Sequence, residues 1–208
     1  MGFPTKTTCI ERPYDVAEAL SQLGLESPAP LIRAADEAYT ARLSATDNHP
    51  PGAAGTFSFL EGIRAIRDAL VGEDWSRQDI GGVSFVENSV TRVRIGFWNV
   101  DRACDAVRPP IRNSEPGPYT AMALRDNRQG WLELDTSAAA DAGSDWSHWF
   151  LMVGENGTAE LSLVDGADFV ARLFLVREED LDLLDGIGST VSDPIDEDAF
   201  DVPVSRKR

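Results

Sequence analysis

The fold class of this 208-residue chain is decided by residues 149–164, WFLMVGENGTAELSLV. Two apolar runs, Trp149 to Val153 and Ala159 to Val164, flank Glu155-Asn156-Gly157. Asn-Gly is a strong signal for a tight hairpin turn, because both residues tolerate the positive φ angles that such turns require. We therefore predict an antiparallel β-hairpin here, and with it a protein built around a sheet.

Patterns on either side of this hairpin extend the predicted sheet over residues 83–176. After Gly81 and Gly82, apolar and polar residues alternate as they do in strands, and Asn88-Ser89 indicates a turn between two of them. Further strands are predicted at residues 119–124, 131–134 and 169–176.

The first third of the chain has the periodicity of helices instead. Apolar residues recur three to four positions apart in three segments, which begin near Tyr14, near Pro30 and near Phe59. The clearest of these apolar stripes consists of Phe59, Ile63, Ile66 and Leu70.

Together these patterns predict an α+β fold, in which an N-terminal helical layer (about 12–74) packs on a largely antiparallel sheet (about 83–176). A short helix is predicted at about 178–185, and residues 1–188 are predicted to form a single domain. Residues 189–208 form an acidic C-terminal tail, whose Asp-rich composition is typical of disordered segments.

The net charge of −16 is concentrated in one part of the chain. Residues 131–201 contain eighteen acidic side chains and only two basic ones, Arg172 and Arg177, so this stretch alone accounts for the whole excess. An excess of this size opposes direct binding of DNA or RNA. It favours a partner protein with a basic surface, such as a nucleic-acid-binding protein.

Several kinds of chemistry lack the side chains they need. Lys6 and Lys207 are the only lysines, which argues against a P-loop or a Schiff-base enzyme. Cys9 and Cys104 have no Cys or His at metal-ligand spacing, and no EF-hand pattern is present, so we expect no cofactor, metal or disulfide. The sequence shows neither a secretory signal pattern nor an apolar stretch of membrane-spanning length, which predicts a cytoplasmic protein without membrane contact.

The leading functional hypothesis is a non-catalytic protein that uses ordered carboxylates to engage a cationic surface of another macromolecule. Such carboxylates can imitate the spaced charges of a nucleic acid, and so inhibit a nuclease or a host-defence complex. Charges on strands or a short helix lose less conformational entropy on binding than charges in a tail. The predicted binding residues are Glu133, Asp135, Glu160, Glu178 and Asp182.

Two other functions fit the sequence. One is a small enzyme with a site at Asp101, Arg102, Cys104 and Asp105, because these polar residues follow a predicted strand and lead into a proline-rich loop. The alternative is that these residues have only a structural role. Asp is a frequent turn former, and no histidine that could activate Cys104 lies near it in the sequence. The other function is a regulatory homo-oligomer, in which Arg-rich and acidic surfaces of two copies meet.

Two further clusters have a structural and a functional interpretation. Arg92 and Arg94 are predicted to project from one face of a hairpin, where they could bind an anion, although pairing with the chain's own acids is favoured. His148 stands between Trp146 and Trp149, and we predict that it packs in the core rather than in a ligand cage.

Overall fold

The computed structural model of the chain describes residues 7–114, 146–165 and 168–180. The helices in this part are α1 (Pro13–Gln22), α2 (Ala29–Leu43) and α3 (Ala53–Leu70). The strands are β1 (Thr8–Ile10), β2 (Trp75–Ile80), β3 (Val83–Asn88), β4 (Val93–Val100), β5 (Ser147–Gly154), β6 (Ala159–Asp165) and β7 (Asp168–Val176).

These strands form one mixed sheet in the order β1-β7-β6-β5-β4-β3-β2. β2, β3 and β4 form one antiparallel meander, and β5, β6 and β7 form another. Parallel pairing of β4 with β5 joins the two meanders, and β1 adds to β7 in parallel. The predicted α+β class, with a largely antiparallel sheet, is confirmed.

The helical layer covers one face of the sheet, with α1 against β7, α2 against β5 and α3 against β4. Leu20, Leu31 and Ile66, one from each helix, are fully buried in the same core cluster. Gly62 of α3 makes room for the ring of Phe97, because a Cβ at this position would lie 2.3 Å from Phe97 Cε2. The close approach of α3 to β4 therefore depends on a residue without a side chain.

The opposite face of the sheet is apolar as well. Phe85, Phe150 and Met152 form a second core cluster with Ala103, which follows β4. Trp98 stacks on Phe150 with ring centroids 3.7 Å apart. Burial on both faces explains why β5 and β7 have nearly continuous apolar sequences instead of alternating ones.

The hairpin predicted at residues 149–164 is confirmed. Gly157 has a φ of 87°, and its N–H donates to the carbonyl of Gly154 at 3.1 Å. Trp149 pairs with Leu163, and Val153 pairs with Ala159. Asn156-Gly157 therefore reverses the chain as its sequence indicates.

The structure differs from the prediction at three places in the sheet. Neither β1 nor β2 was predicted, because β1 has three residues and β2 is an edge strand with mostly polar side chains. The hairpin predicted around Asn88-Ser89 is present, but its turn begins one residue later, at Ser89, since Asn88 still pairs with Val93. Its side chain accepts hydrogen bonds from the N–H groups of Val90 and Thr91, which places the turn at residues 89–92.

Some predictions fall on other parts of the chain. Residues 178–180 are helical, in line with the start of the short helix predicted at about 178–185, and the rest of that helix lies outside the described residues. The predicted strands at 119–124 and 131–134 and the acidic tail at 189–208 also lie outside them.

Candidate functional site

The two carboxylates of the predicted enzyme site hold turns in the segment after β4. Asp101 Oδ1 accepts the N–H groups of Arg102 and Ile111, each at 2.7 Å. Asp105 Oδ1 accepts those of Val107 at 2.9 Å and Arg108 at 3.0 Å. These backbone bonds favour the charged form and lower the pKa of Asp105. Both side chains therefore accept backbone hydrogen bonds, an arrangement that suits turn formation.

Cys104 is a structural thiol in the same segment. Its N–H donates to Glu160 Oε2 at 2.7 Å, and its Sγ donates to the carbonyl of Ala159 at 3.0 Å. Burial, together with the charge of Glu160, raises the pKa of Cys104 to about 12. A nucleophilic cysteine needs the opposite environment, one that stabilises the thiolate.

Glu160 lies inside the protein, in a buried ion pair with Arg172. Their side chains are 0% and 2% exposed, and two hydrogen bonds of 2.8 and 2.6 Å join them. Ser162 Oγ donates to the same carboxylate at 2.6 Å, and Arg172 Nη1 donates to the carbonyl of Asp105 at 2.7 Å. The prediction that Glu160 contacts a partner is therefore wrong. Its side chain lies on the face of the sheet that the segment after β4 covers, so it is not accessible to a partner.

The other predicted binding residues divide into two groups. Glu178 is exposed at the start of the helical residues 178–180. Glu133, Asp135 and Asp182 lie outside the described residues.

His148 and Arg94 are neighbours on the adjacent strands β5 and β4, and Arg92 lies in the turn before β4. His148 is buried beside Phe85, as predicted, and burial with the nearby charge of Arg94 lowers its pKa to about 4. Arg94 pairs with Glu87 at 2.9 Å and lies over the ring of Trp146. Arg92 has a φ of 57° in the β3–β4 turn and approaches the same ring, so the two arginines do not form an open row.

Most arginines of the described part are paired with the chain's own carboxylates, as favoured from the sequence. Ion pairs of 4 Å or less involve Arg12, Arg33, Arg42, Arg64, Arg67, Arg94, Arg102, Arg108, Arg172 and Arg177. The exceptions are Arg77, Arg92 and Arg112, and the last of these lies over the ring of Trp98 at 4.5 Å. Little positive charge is therefore left uncompensated on this part of the surface.

The pairing leaves a set of free carboxylates. Residues 7–114, 146–165 and 168–180 contain 22 acidic and 13 basic side chains, a net charge of −9. Eight exposed acids of these ranges have neither an ion pair nor a side-chain hydrogen bond: Glu11, Glu18, Glu26, Asp36, Asp47, Glu73, Asp74 and Glu178.

A cleft of about 750 Å³ opens where β3 and β4 diverge, and sequence reasoning missed it. The β3–β4 ladder ends at Val86 and Ile95, and residues 111–113 pair with the end of β4 instead. Phe97, Trp98 and Asn99 of β4 line the gap between these two partners.

The polar groups of this cleft suit binding better than acid–base chemistry. Asn99 Nδ2 donates to the carbonyl of Gly55 at 2.8 Å, while its Oδ1 is buried without a hydrogen-bond partner. Glu155 is held by Arg42 at 2.7 Å and by Asn113 at 3.0 Å. The carboxylate at the cleft is thus already engaged by a cation and an amide.

A second depression, which we call the α1–β7 groove, has an apolar floor and acidic groups at its edge. Its volume is about 480 Å³. It is lined by Glu11, Pro13, Val16, Pro28, Ile32, Phe174, Leu175, Val176, Arg177, Glu179 and Asp180. None of the predicted site residues lines it, but Glu178 lies beside it in the sequence.

Two further findings concern the described part of the chain. No helix there is long and apolar enough to cross a membrane. No three His, Cys, Asp or Glu side chains within these ranges are grouped so that they could hold a metal ion. Comparison with protein-family models, curated proteins and solved structures found no match to this chain.

Proposed function

We propose that the protein is a non-catalytic acidic binding protein, which engages a cationic surface of another macromolecule through carboxylates held on its folded surface. The observation that carries this proposal is the set of eight exposed acids without partners, whereas ten of the thirteen described arginines are paired with carboxylates of the chain. A surface of this kind attracts a basic partner and accelerates its association.

The environment of Cys104 supports a binding protein over a small enzyme. A thiol whose pKa is raised to about 12 is not a nucleophile near neutral pH. Asp101 and Asp105 hold backbone turns through the hydrogen bonds of their carboxylates. The groups that the enzyme hypothesis requires therefore have structural partners.

The partner that we propose is a nucleic-acid-binding protein, such as a nuclease or a host-defence complex. Carboxylates on helices and at strand ends keep a fixed spacing, and so can replace the phosphates that such a protein normally binds. Because opposite charges attract over a Debye length, this binding should weaken as salt increases.

The proposal is tested by affinity purification from the native cell at low and at moderate salt, followed by competition with duplex DNA. We expect the retained protein to bind DNA by itself and to be released both by DNA and by salt. The acidic protein alone should give no gel shift with DNA. Retention that DNA does not reverse would contradict mimicry, and tight DNA binding by the acidic protein itself would contradict the whole proposal.

A further inference from the structure

The walls of the α1–β7 groove belong to regular elements that are anchored in the core. Leu175 and Val176 lie on β7 and are 9% and 5% exposed, and Val16 on α1 is 3% exposed. Ile32 on α2 packs against the same core cluster. A groove built in this way is preformed, so a ligand would not have to order it on binding.

The edge of this groove carries more negative than positive charge. Glu11, Glu179 and Asp180 are set against one cation, Arg177. Arg177 is already bound, because it pairs with Glu179 at 2.9 Å and donates to the carbonyl of Glu11. The carboxylate of Glu11 is left without a partner, and Glu178 next to the groove is in the same state.

An apolar floor and free carboxylates thus lie side by side. We propose that the α1–β7 groove is the docking site for a cationic, amphipathic segment of the partner protein, whose apolar side chains enter the groove while its Lys or Arg side chains pair with Glu11 and Glu178. This inference rests on the proposed function, and it adds where the partner binds and what the binding segment contains.

Charge complementarity selects this occupant. A segment that is only basic would gain nothing from the floor formed by Ile32, Leu175 and Val176. A segment that is only apolar would gain nothing from Glu11 and Glu178, and burying the free carboxylates beneath it would be unfavourable. A segment with both kinds of side chain satisfies both halves of the site, as in other grooves that bind amphipathic segments.

The test uses two synthetic peptides of equal charge, one alternating Arg with Leu and the other alternating Arg with Ser. Fluorescence anisotropy gives the Kd of each for the full-length chain at low salt. We expect the Arg-Leu peptide to bind at least about tenfold more tightly, because only its Leu side chains fill the groove.

Three variants locate the binding. Glu11→Arg should weaken binding of the Arg-Leu peptide by about tenfold. Ile32→Asn should remove most of the preference for Leu over Ser, and its melting curve shows whether the variant is folded. Ser76→Arg is the control, because Ser76 is exposed on β2 at the opposite edge of the sheet and does not belong to the set of free carboxylates. Its Kd should change by less than about threefold.

Each alternative outcome has its own meaning. If both peptides bind equally, or if Ser76→Arg weakens binding as much as Glu11→Arg, the groove is wrong while acidic binding itself stands. If neither peptide binds at low salt, the proposed function fails together with the groove. If deletion of residues 189–208 tightens binding of the Arg-Leu peptide about tenfold, the basic residues Arg206, Lys207 and Arg208 of this chain are the occupant and docking of a partner segment is wrong. Self-association that Glu11→Arg abolishes would make a second copy the occupant and would also overturn the proposal.

Discussion

Arg172→Leu is expected to be among the most destabilising single substitutions in this protein. Arg172 makes two hydrogen bonds to Glu160 and one to the carbonyl of Asp105, and both charged side chains are almost completely buried. Removing the guanidinium leaves a carboxylate at 0% exposure with only the Cys104 N–H and the Ser162 hydroxyl as donors. Loss of one partner from such a pair costs about 3–5 kcal/mol, since the remaining charge is neither hydrated nor neutralised.

The assay is urea unfolding at neutral pH, followed by circular dichroism, with the free energy of unfolding obtained by linear extrapolation. Arg33→Leu is the matched control, because Arg33 is 65% exposed and its pair with Glu37 spans 3.9 Å. That variant should change the free energy by no more than about 1 kcal/mol. The double variant Glu160→Leu/Arg172→Leu should be more stable than Arg172→Leu alone, because no unpaired charge stays buried. A cost below about 1 kcal/mol for Arg172→Leu, or simple additivity in the double variant, would refute the reasoning.

Three further predictions concern single residues. In the native protein at pH 8, Cys104 should react with iodoacetamide much more slowly than in urea, because its pKa is raised to about 12; equal rates would contradict its burial. Gly62→Ala should lower the free energy of unfolding by about 1–3 kcal/mol, since the new methyl group would overlap the ring of Phe97. Gly55→Ala, where a Cβ meets nothing within 4 Å, should leave stability unchanged or raise it by up to about 1 kcal/mol. Burial lowers the pKa of His148 in the folded protein to about 4, against an ordinary value of 6.5. The unfolded chain therefore binds a proton more readily than the folded one, and the free energy of unfolding should fall as pH drops from 6.5 to 4. The total loss should be about 3 kcal/mol. Between pH 6.5 and 4 the parent should lose stability relative to His148→Leu, and parallel pH profiles of the two proteins would contradict this.

The fold class could be predicted because the relevant signals are local. Asn156-Gly157 between two apolar runs specifies a hairpin, and the positive φ angle that its turn requires falls on Gly157. The stripe from Phe59 to Leu70 specifies an amphipathic helix in the same direct way. Edge strand β2 was missed because its side chains are mostly polar and leave no periodic apolar pattern.

The candidate site could not be predicted to the same extent, because it depends on long-range pairing. Glu160 alternates with apolar neighbours as a surface residue of a strand would, and only the position of Arg172 on the adjacent strand makes its burial possible. The α1–β7 groove joins residues that are more than a hundred positions apart in the sequence, such as Val16 and Phe174. No pattern of residue spacing within one segment can indicate that such distant residues are close in space.

The charge that the protein presents to a partner depends on which carboxylates form ion pairs in the folded chain. Composition alone does not reveal it. Glu160 and Glu11 carry the same group, but the first has a bidentate cation and two further donors, while the second has none. Reversing the charge of Glu160 would disrupt the core and says nothing about binding, whereas reversing that of Glu11 alters the surface at little cost to stability. Any reduction of partner affinity by charge reversal should therefore be largest at the free acids Glu11 and Glu178, and should be independent of the melting temperature.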